Sequence, residues 1–177
     1  MGFNILNNED SWNGLTVNYQ VDWPLNLILS SNILEKFTNI FRYLFPIRLV
    51  QLDLQKVWLN LMKKNRKEGL FEKKMRKMVN LRNQMAAVIE SLWSYFHLDV
   101  LEVQWMKFNE NFKEIADFDE MRRGLDEYLN SISSQLFIHF PKIVKSIFEI
   151  INNSKTFINL LLRYFLIKKD SLGIFYL

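Results

Sequence analysis

The stretch LRNQMAAVIESLWSYFHLDVLEVQWMKFNENF, residues 81–112, decides the fold. Leu81, Met85, Val88, Ile89, Leu92, Trp93 and Phe96 recur at helical spacing. After His97-Leu98-Asp99 the pattern resumes with Leu101, Trp105, Phe108, Phe112 and Ile115, at gaps of four, three, four and three. That is the spacing of a heptad seam. The stretch predicts one long helix bent near Leu98, or two helices in succession. Trp93, Tyr95 and Phe96 put aromatic rings on more than one side, which calls for burial on more than one side and points to a partner or to further chain.

Working outward, the same periodicity appears on both flanks. Ser30-Ser31-Asn32 with Glu35 reads as a helix start, Ser31 or Asn32 accepting from orphan amides and Glu35 near the positive end of the dipole. Leu34, Phe37, Phe41 and Leu44 lie on one face, followed by Val50, Leu54, Val57, Trp58 and Leu61. Pro46 falls within this run and is expected to kink or split the helix near Phe45. Downstream, Asp117 or Asp119 is placed to cap a helix bearing Met121, Leu125, Leu129, Ile132, Leu136 and Phe140. Pro141 suits the first turn of a last helix carrying Ile143, Ile147, Ile150, Ile151, Ile158, Leu161, Leu162 and Phe165. Residues 15–21 alternate apolar and polar and predict a short extended element, ended by Trp23-Pro24. The fold class is therefore all-α, a bundle of four to five long helices with a short extended N-terminal element.

Composition agrees. Hydrophobic residues make up 49% of the 177, with only 5 Gly and 3 Pro, so the chain has ample material for a core and few breakers. There is no Cys, which removes disulfide scaffolds and Cys-ligated zinc and suits a reducing compartment. The N-terminus lacks the basic start and apolar run of a signal peptide, and Leu6 stands where a myristoylation signal has Ser or Thr. The longest apolar stretch, residues 157–167, is interrupted by Asn159 and Arg163 and falls short of the roughly 20 residues a bilayer span needs. These features read as a soluble intracellular protein.

The net charge of +4 is local. Residues 63–82 hold nine of the 23 basic residues (Lys63, Lys64, Arg66, Lys67, Lys73, Lys74, Arg76, Lys77, Arg82) and two of the 19 acids (Glu68, Glu72), so the rest of the chain is at −3. The run surrounds Gly69 and reads first as a solvated connection. Nucleic-acid contact is the sharper alternative, but Phe71 is its lone aromatic and no nucleic-acid module fits. Attraction of an anionic protein surface is the other.

Catalysis finds no foothold. His97 and His139 lie 42 positions apart and in no metal-ligand spacing. There is no G-x-S-x-G and no glycine-rich phosphate loop. Asp99 with Glu102, and Asp119 with Glu120, read as partners of helix dipoles rather than as catalytic carboxylates. Asn152-Asn153-Ser154 matches a glycosylation acceptor but is expected to stay unmodified. No catalytic, cofactor-binding or metal residue is assigned; Trp58, Trp93 and Trp105 read as core.

One ordered series of short stretches goes further. Trp12-Asn13-Gly14-Leu15-Thr16-Val17-Asn18-Tyr19-Gln20-Val21-Asp22-Trp23-Pro24-Leu25 is followed by Ile33-Leu34-Glu35-Lys36-Phe37 and by Phe41-Arg42-Tyr43-Leu44. Val50-Gln51-Leu52-Asp53-Leu54-Gln55-Lys56-Val57-Trp58 and Leu81-Arg82-Asn83-Gln84-Met85-Ala86 come next. Tyr95-Phe96-His97-Leu98-Asp99-Val100-Leu101-Glu102-Val103-Gln104-Trp105, then Tyr128-Leu129-Asn130-Ser131-Ile132-Ser133-Ser134-Gln135-Leu136-Phe137, complete it. In this order they resemble the C-terminal domain of the gamma-tubulin complex components, over residues 12–162. The resemblance implies an all-helical domain over residues 12–177, incomplete at its C-terminal end, behind a disordered lead-in over 1–11. It implies a non-catalytic role with no cofactor. The implied partners are gamma-tubulin and other components of its complex, in microtubule nucleation at a cytoplasmic microtubule-organising centre or spindle pole. The alternatives are a truncated helical fragment without independent activity and a nucleic-acid binder acting through the basic run. The resemblance carries over no individual contact residue.

Overall fold

The computed structural model describes residues 19, 22–68, 73–113 and 117–173. The expected lead-in over 1–11 lies outside them, as does nearly all of the extended element over 15–21. A 3-10 turn, Leu25–Leu27, leads into α1 (Ser31–Glu68). There follow α2 (Lys73–Ser94), a π-helical segment (Tyr95–Glu102), α3 (Val103–Phe112), α4 (Phe118–Gln135) and α5 (Pro141–Gly173). No strand occurs among the described residues. Helix winds without interruption from α2 through the π segment into α3, so the protein is all-α, as the periodicity predicts.

The chain packs as two compact units. One takes in Met1–Pro46 and Trp93–Ser146, the other Ile47–Leu92 and Ile147–Leu177. In the first, the core is built from Ile33, Ile40, Tyr43 and Leu44 of α1, Phe96 and Val100 of the π segment, Leu125, Leu129 and Ile132 of α4, and Val144 of α5. In the second it comes from Ile47, Val50, Leu54, Val57 and Leu61 of α1, Ala86 and Ile89 of α2, and Ile147, Ile151, Ile158 and Leu161 of α5. From Ile40 to Leu61 along α1 the buried gaps alternate between three and four, and Leu125, Leu129 and Ile132 of α4 follow at four and three. That spacing sets ridges into grooves and keeps one stripe of each helix inward.

Two sequence expectations need correcting here. Of the kink or split expected at Pro46, the split does not occur, because α1 runs from Ser31 to Glu68 with Pro46 inside it. Ile40, Tyr43, Ile47, Val50, Leu54, Val57 and Leu61 keep one alternation of three and four across it, every one of them buried. A proline in a helix interior costs about 3 kcal/mol, and each fully buried aliphatic side chain returns about 1.5–3 kcal/mol, so continuing the helix is the cheaper outcome. On α5, the inward line is Val144, Ile147, Ile151, Ser154, Ile158 and Leu161; Ile143, Ile150 and Leu162 stand on its exposed flank. Ser154 is compatible with the core because its hydroxyl donates to the Ile150 carbonyl at 2.9 Å, within its own helix. Thr38 and Ser133 do the same to Leu34 and Leu129, each at 2.8 Å.

The polar link between α1 and α4 is a small network. Lys36 Nζ donates to Asp126 Oδ1 at 2.5 Å and to Asn130 Oδ1 at 2.9 Å, and Asn130 Nδ2 donates to Asp126 Oδ2 at 3.0 Å. The hydrogen bond from Lys36 holds the Asp126 carboxyl below the usual carboxylate value. A carboxylate depressed in the folded state stabilises above its unfolded pKa, and that contribution disappears as pH falls through the folded value. Both partners are partly solvated, at 26% and 37% side-chain exposure, which holds the contribution to about 1 kcal/mol or less. Urea unfolding of Lys36→Met is therefore expected to show a smaller stability loss between neutral pH and pH ~3 than the wild type; equal acid-side losses would rule the link out as a contributor.

Candidate functional site

The π segment decides what the helix after it shows to solvent. A π turn bonds residues five apart and takes about one more residue than an α turn. Residues four apart then stay on one side, and the buried line runs Phe96, Val100, Gln104. His97 and Glu102, five apart, meet across the turn with Nδ1 and Oε1 3.3 Å apart. The expected seam of Leu101, Trp105, Phe108 and Phe112 does not go fully inward: Leu101 and Phe108 are half-buried. Gln104 is buried, while Trp105 is 54% exposed and Phe112 36%. Ile115 lies outside the described residues.

Trp105, Phe108 and Phe112 form a continuous aromatic face with α4. The Phe108 ring lies 5.8 Å from Trp105, 5.2 Å from Phe112 and 4.9 Å from Tyr128, centroid to centroid. Trp105 meets Tyr128 edge-on at 6.2 Å. Burial raises the Tyr128 hydroxyl pKa. Tyr128 appears in the sequence only within a family-like stretch, because its own helix buries Leu125 and Leu129 beside it. Met106, also exposed, adds a polarizable side chain on α3.

A second aromatic group closes the end of α4. Tyr95 stacks on Phe137 at 6.1 Å, and its hydroxyl donates to the Gln135 carbonyl at 3.4 Å. Phe137 has φ 60°, a left-handed position that glycine usually fills. The backbone bonds of the cap are both present, Phe137 N–H to the Ser134 carbonyl and Ile138 N–H to the Ser133 carbonyl, each at 3.1 Å. A side chain there costs about 1–2 kcal/mol. The Phe137 ring offsets this through Tyr95 and through Phe140 at 6.3 Å. Phe140, expected in the α4 seam, is 52% exposed because the chain turns between α4 and α5.

The remaining candidates have structural roles. His97 stacks on Trp93 at 5.7 Å, and His139 is exposed. Among the described residues, no group of three His, Cys, Asp or Glu is placed to hold a metal. Asp117 occupies the N-cap of α4 without a side-chain bond, and Asp119 and Glu120 lie in its first turn, as expected. Asp99 and Glu102 instead belong to the π segment. The Asn152-Asn153-Ser154 tripeptide is inside α5 with Ser154 buried. No described helix is long and apolar enough to cross a membrane.

The basic run is not a broad connection. α1 continues to Glu68 and α2 begins at Lys73, so most of its cations lie on two helix ends. Side chains 63–75 lie outside the described residues. Arg82 turns inward: its Nε donates to the Leu54 carbonyl at 3.0 Å and its guanidinium lies over the Trp58 ring at 5.3 Å. Desolvation by burial lowers its pKa, against an opposing contribution from Glu90. Arg76 and Lys77 are exposed.

Comparison with known proteins gives this helical array a lineage. Residues 3–172 match the family described as Gamma tubulin complex component C-terminal. Gamma-tubulin complex component 4 of Homo sapiens is 32% identical over 151 residues, 84% of this chain and 22% of that protein. The Mus musculus protein of that name is 31% identical over 154 residues, 86% of this chain and 22% of its own length. The Arabidopsis thaliana one is 30% identical over 148 residues, 76% and 20%. The chain spans about a fifth of the length of these relatives.

Exposure sets apart the two kinds of aromatic position. Phe96→Ala is expected to cost about 3–5 kcal/mol of unfolding free energy, and Trp105→Ala about 1 kcal/mol. Denaturant titration of both variants checks this; equal losses would mean that Trp105 belongs to the core.

Proposed function

The chain belongs to the gamma-tubulin complex component family, in its C-terminal region, and from that premise we propose that it is a non-catalytic helical module that binds gamma-tubulin. The observation that carries the reading is the aromatic face of Trp105, Phe108, Phe112 and Tyr128, left open by the π segment. Partly exposed Trp and Tyr on rigid helices supply large contact area at low entropy cost, the usual make-up of binding hot spots. We assign the gamma-tubulin-binding domain to residues 12–177, and place its action at a microtubule-organising centre with other components of the complex.

The mechanism is preorganisation. Each module fixes one gamma-tubulin on a stiff surface. Several tubulins held side by side at microtubule spacing have already lost the translational and rotational freedom that a first turn of lattice must give up. The mechanism requires no bond to be made or broken.

Capture of purified gamma-tubulin on the immobilised 177-residue chain tests the reading. The wild type is expected to retain it, and Trp105→Glu to weaken retention by about tenfold or more. Folded, helical wild-type protein that retains none would overturn it.

A further inference from the structure

α2 carries a second apolar seam beside the one it buries. Its inner line passes through Ala86 and Ile89. One position back, Met78, Leu81, Met85, Val88 and Leu92 repeat at gaps of three, four, three and four. A one-residue offset turns this line about 100° around the helix, away from the core. Leu81 is 42% exposed and Val88 49%, and Met78, Met85 and Leu92 are half-buried. Two heptads of uncharged a and d residues form the side that one helix offers to another.

The charge at one end of the seam states what kind of helix. Arg76 and Lys77, both exposed, continue it towards the start of α2, and Lys77 lies one turn before Leu81. They belong to the segment 63–82, with nine basic residues against two acids. No acid lies in the first turn of α2, where a carboxylate would face the positive end of the helix dipole. The seam calls for apolar side chains at heptad spacing, and the end of the seam calls for carboxylates. We infer that the outer face of α2 docks an acidic amphipathic helix of a partner protein, its leucine-like residues between Leu81 and Val88 and its Asp and Glu residues beside Arg76 and Lys77. Nucleic acid would leave the apolar seam unused, and Arg82 is already turned inward to Leu54 and Trp58. A second copy packed in parallel would bring the two basic ends together.

The inference stands apart from the gamma-tubulin reading, because Leu81 and Val88 belong to the other compact unit from Trp105. The probe is a synthetic three-heptad peptide with Leu at a and d and Glu at e and g, whose Glu repulsion opposes pairing with itself. Fluorescence anisotropy against the full chain is expected to show saturable binding with a Kd in the micromolar range. Leu81→Glu/Val88→Glu and, separately, Lys77→Glu are expected to weaken it about tenfold or more, with helicity and gamma-tubulin capture unchanged. Absence of saturable binding by the folded wild type overturns the inference. So does equal affinity for a peptide with Lys in place of Glu. Self-association abolished by the Leu81/Val88 pair would assign the seam to a second copy. Tighter binding of oligouridine, lost in Lys77→Glu alone, would assign the basic end to nucleic acid.

Discussion

Phe96 is fully buried, and the helix that carries it must bury Val100 and Gln104 on the same side while its winding changes. Those gaps of four are too long for the alternation that holds elsewhere. The π segment accommodates them by lengthening each turn, and the His97–Glu102 pair bridges residues five apart across it. The contrast between Gln104 and Trp105 on α3 follows from that winding. Gln104 goes inward in place of Trp105, and the heavy aromatic side chains of α3 are left to meet Tyr128 of α4 at the surface.

The same constraint explains which parts of the structure could be read from the sequence. α4 was legible because Leu125, Leu129, Ile132 and Leu136 follow regular α spacing and the chain turns sharply after them. The inner line of α1 was legible from Val50 onward. Its continuity was not, because proline rules weigh only the local loss of a donor and a clash, whereas tertiary burial on either side of Pro46 outweighs both. On α5, isoleucines at 143 and 150 compete with Val144 and Ser154 for the inward line. Periodicity alone cannot choose a polar serine over an isoleucine, but a hydroxyl bonded within its own helix removes the penalty.

The candidate surface was half legible. Rings on several sides of residues 93–96 call for burial beyond the helix itself, and the structure meets part of that demand with Tyr43 against Phe96 and Phe137 against Tyr95. What pattern reading missed is that Gln104 is buried and Trp105 exposed after the π segment, since no side-chain spacing announces a π turn. The basic run was read by charge alone. The structure divides it between two helix ends and turns Arg82 partly inward to the Leu54 carbonyl.

Polar atoms on the inner lines are satisfied mostly within their own helix, as at Thr38, Ser133 and Ser154. Helices packed this way behave as stiff rods and can hold a partner in fixed geometry. The central claim is that the π segment leaves the α3 aromatic face outside. Hydroxyl-radical footprinting of the intact chain, read residue by residue by mass spectrometry, tests it directly. Trp105 and Met106 should be oxidised readily while Phe96 is protected; protection of Trp105 to the level of Phe96 would contradict the account.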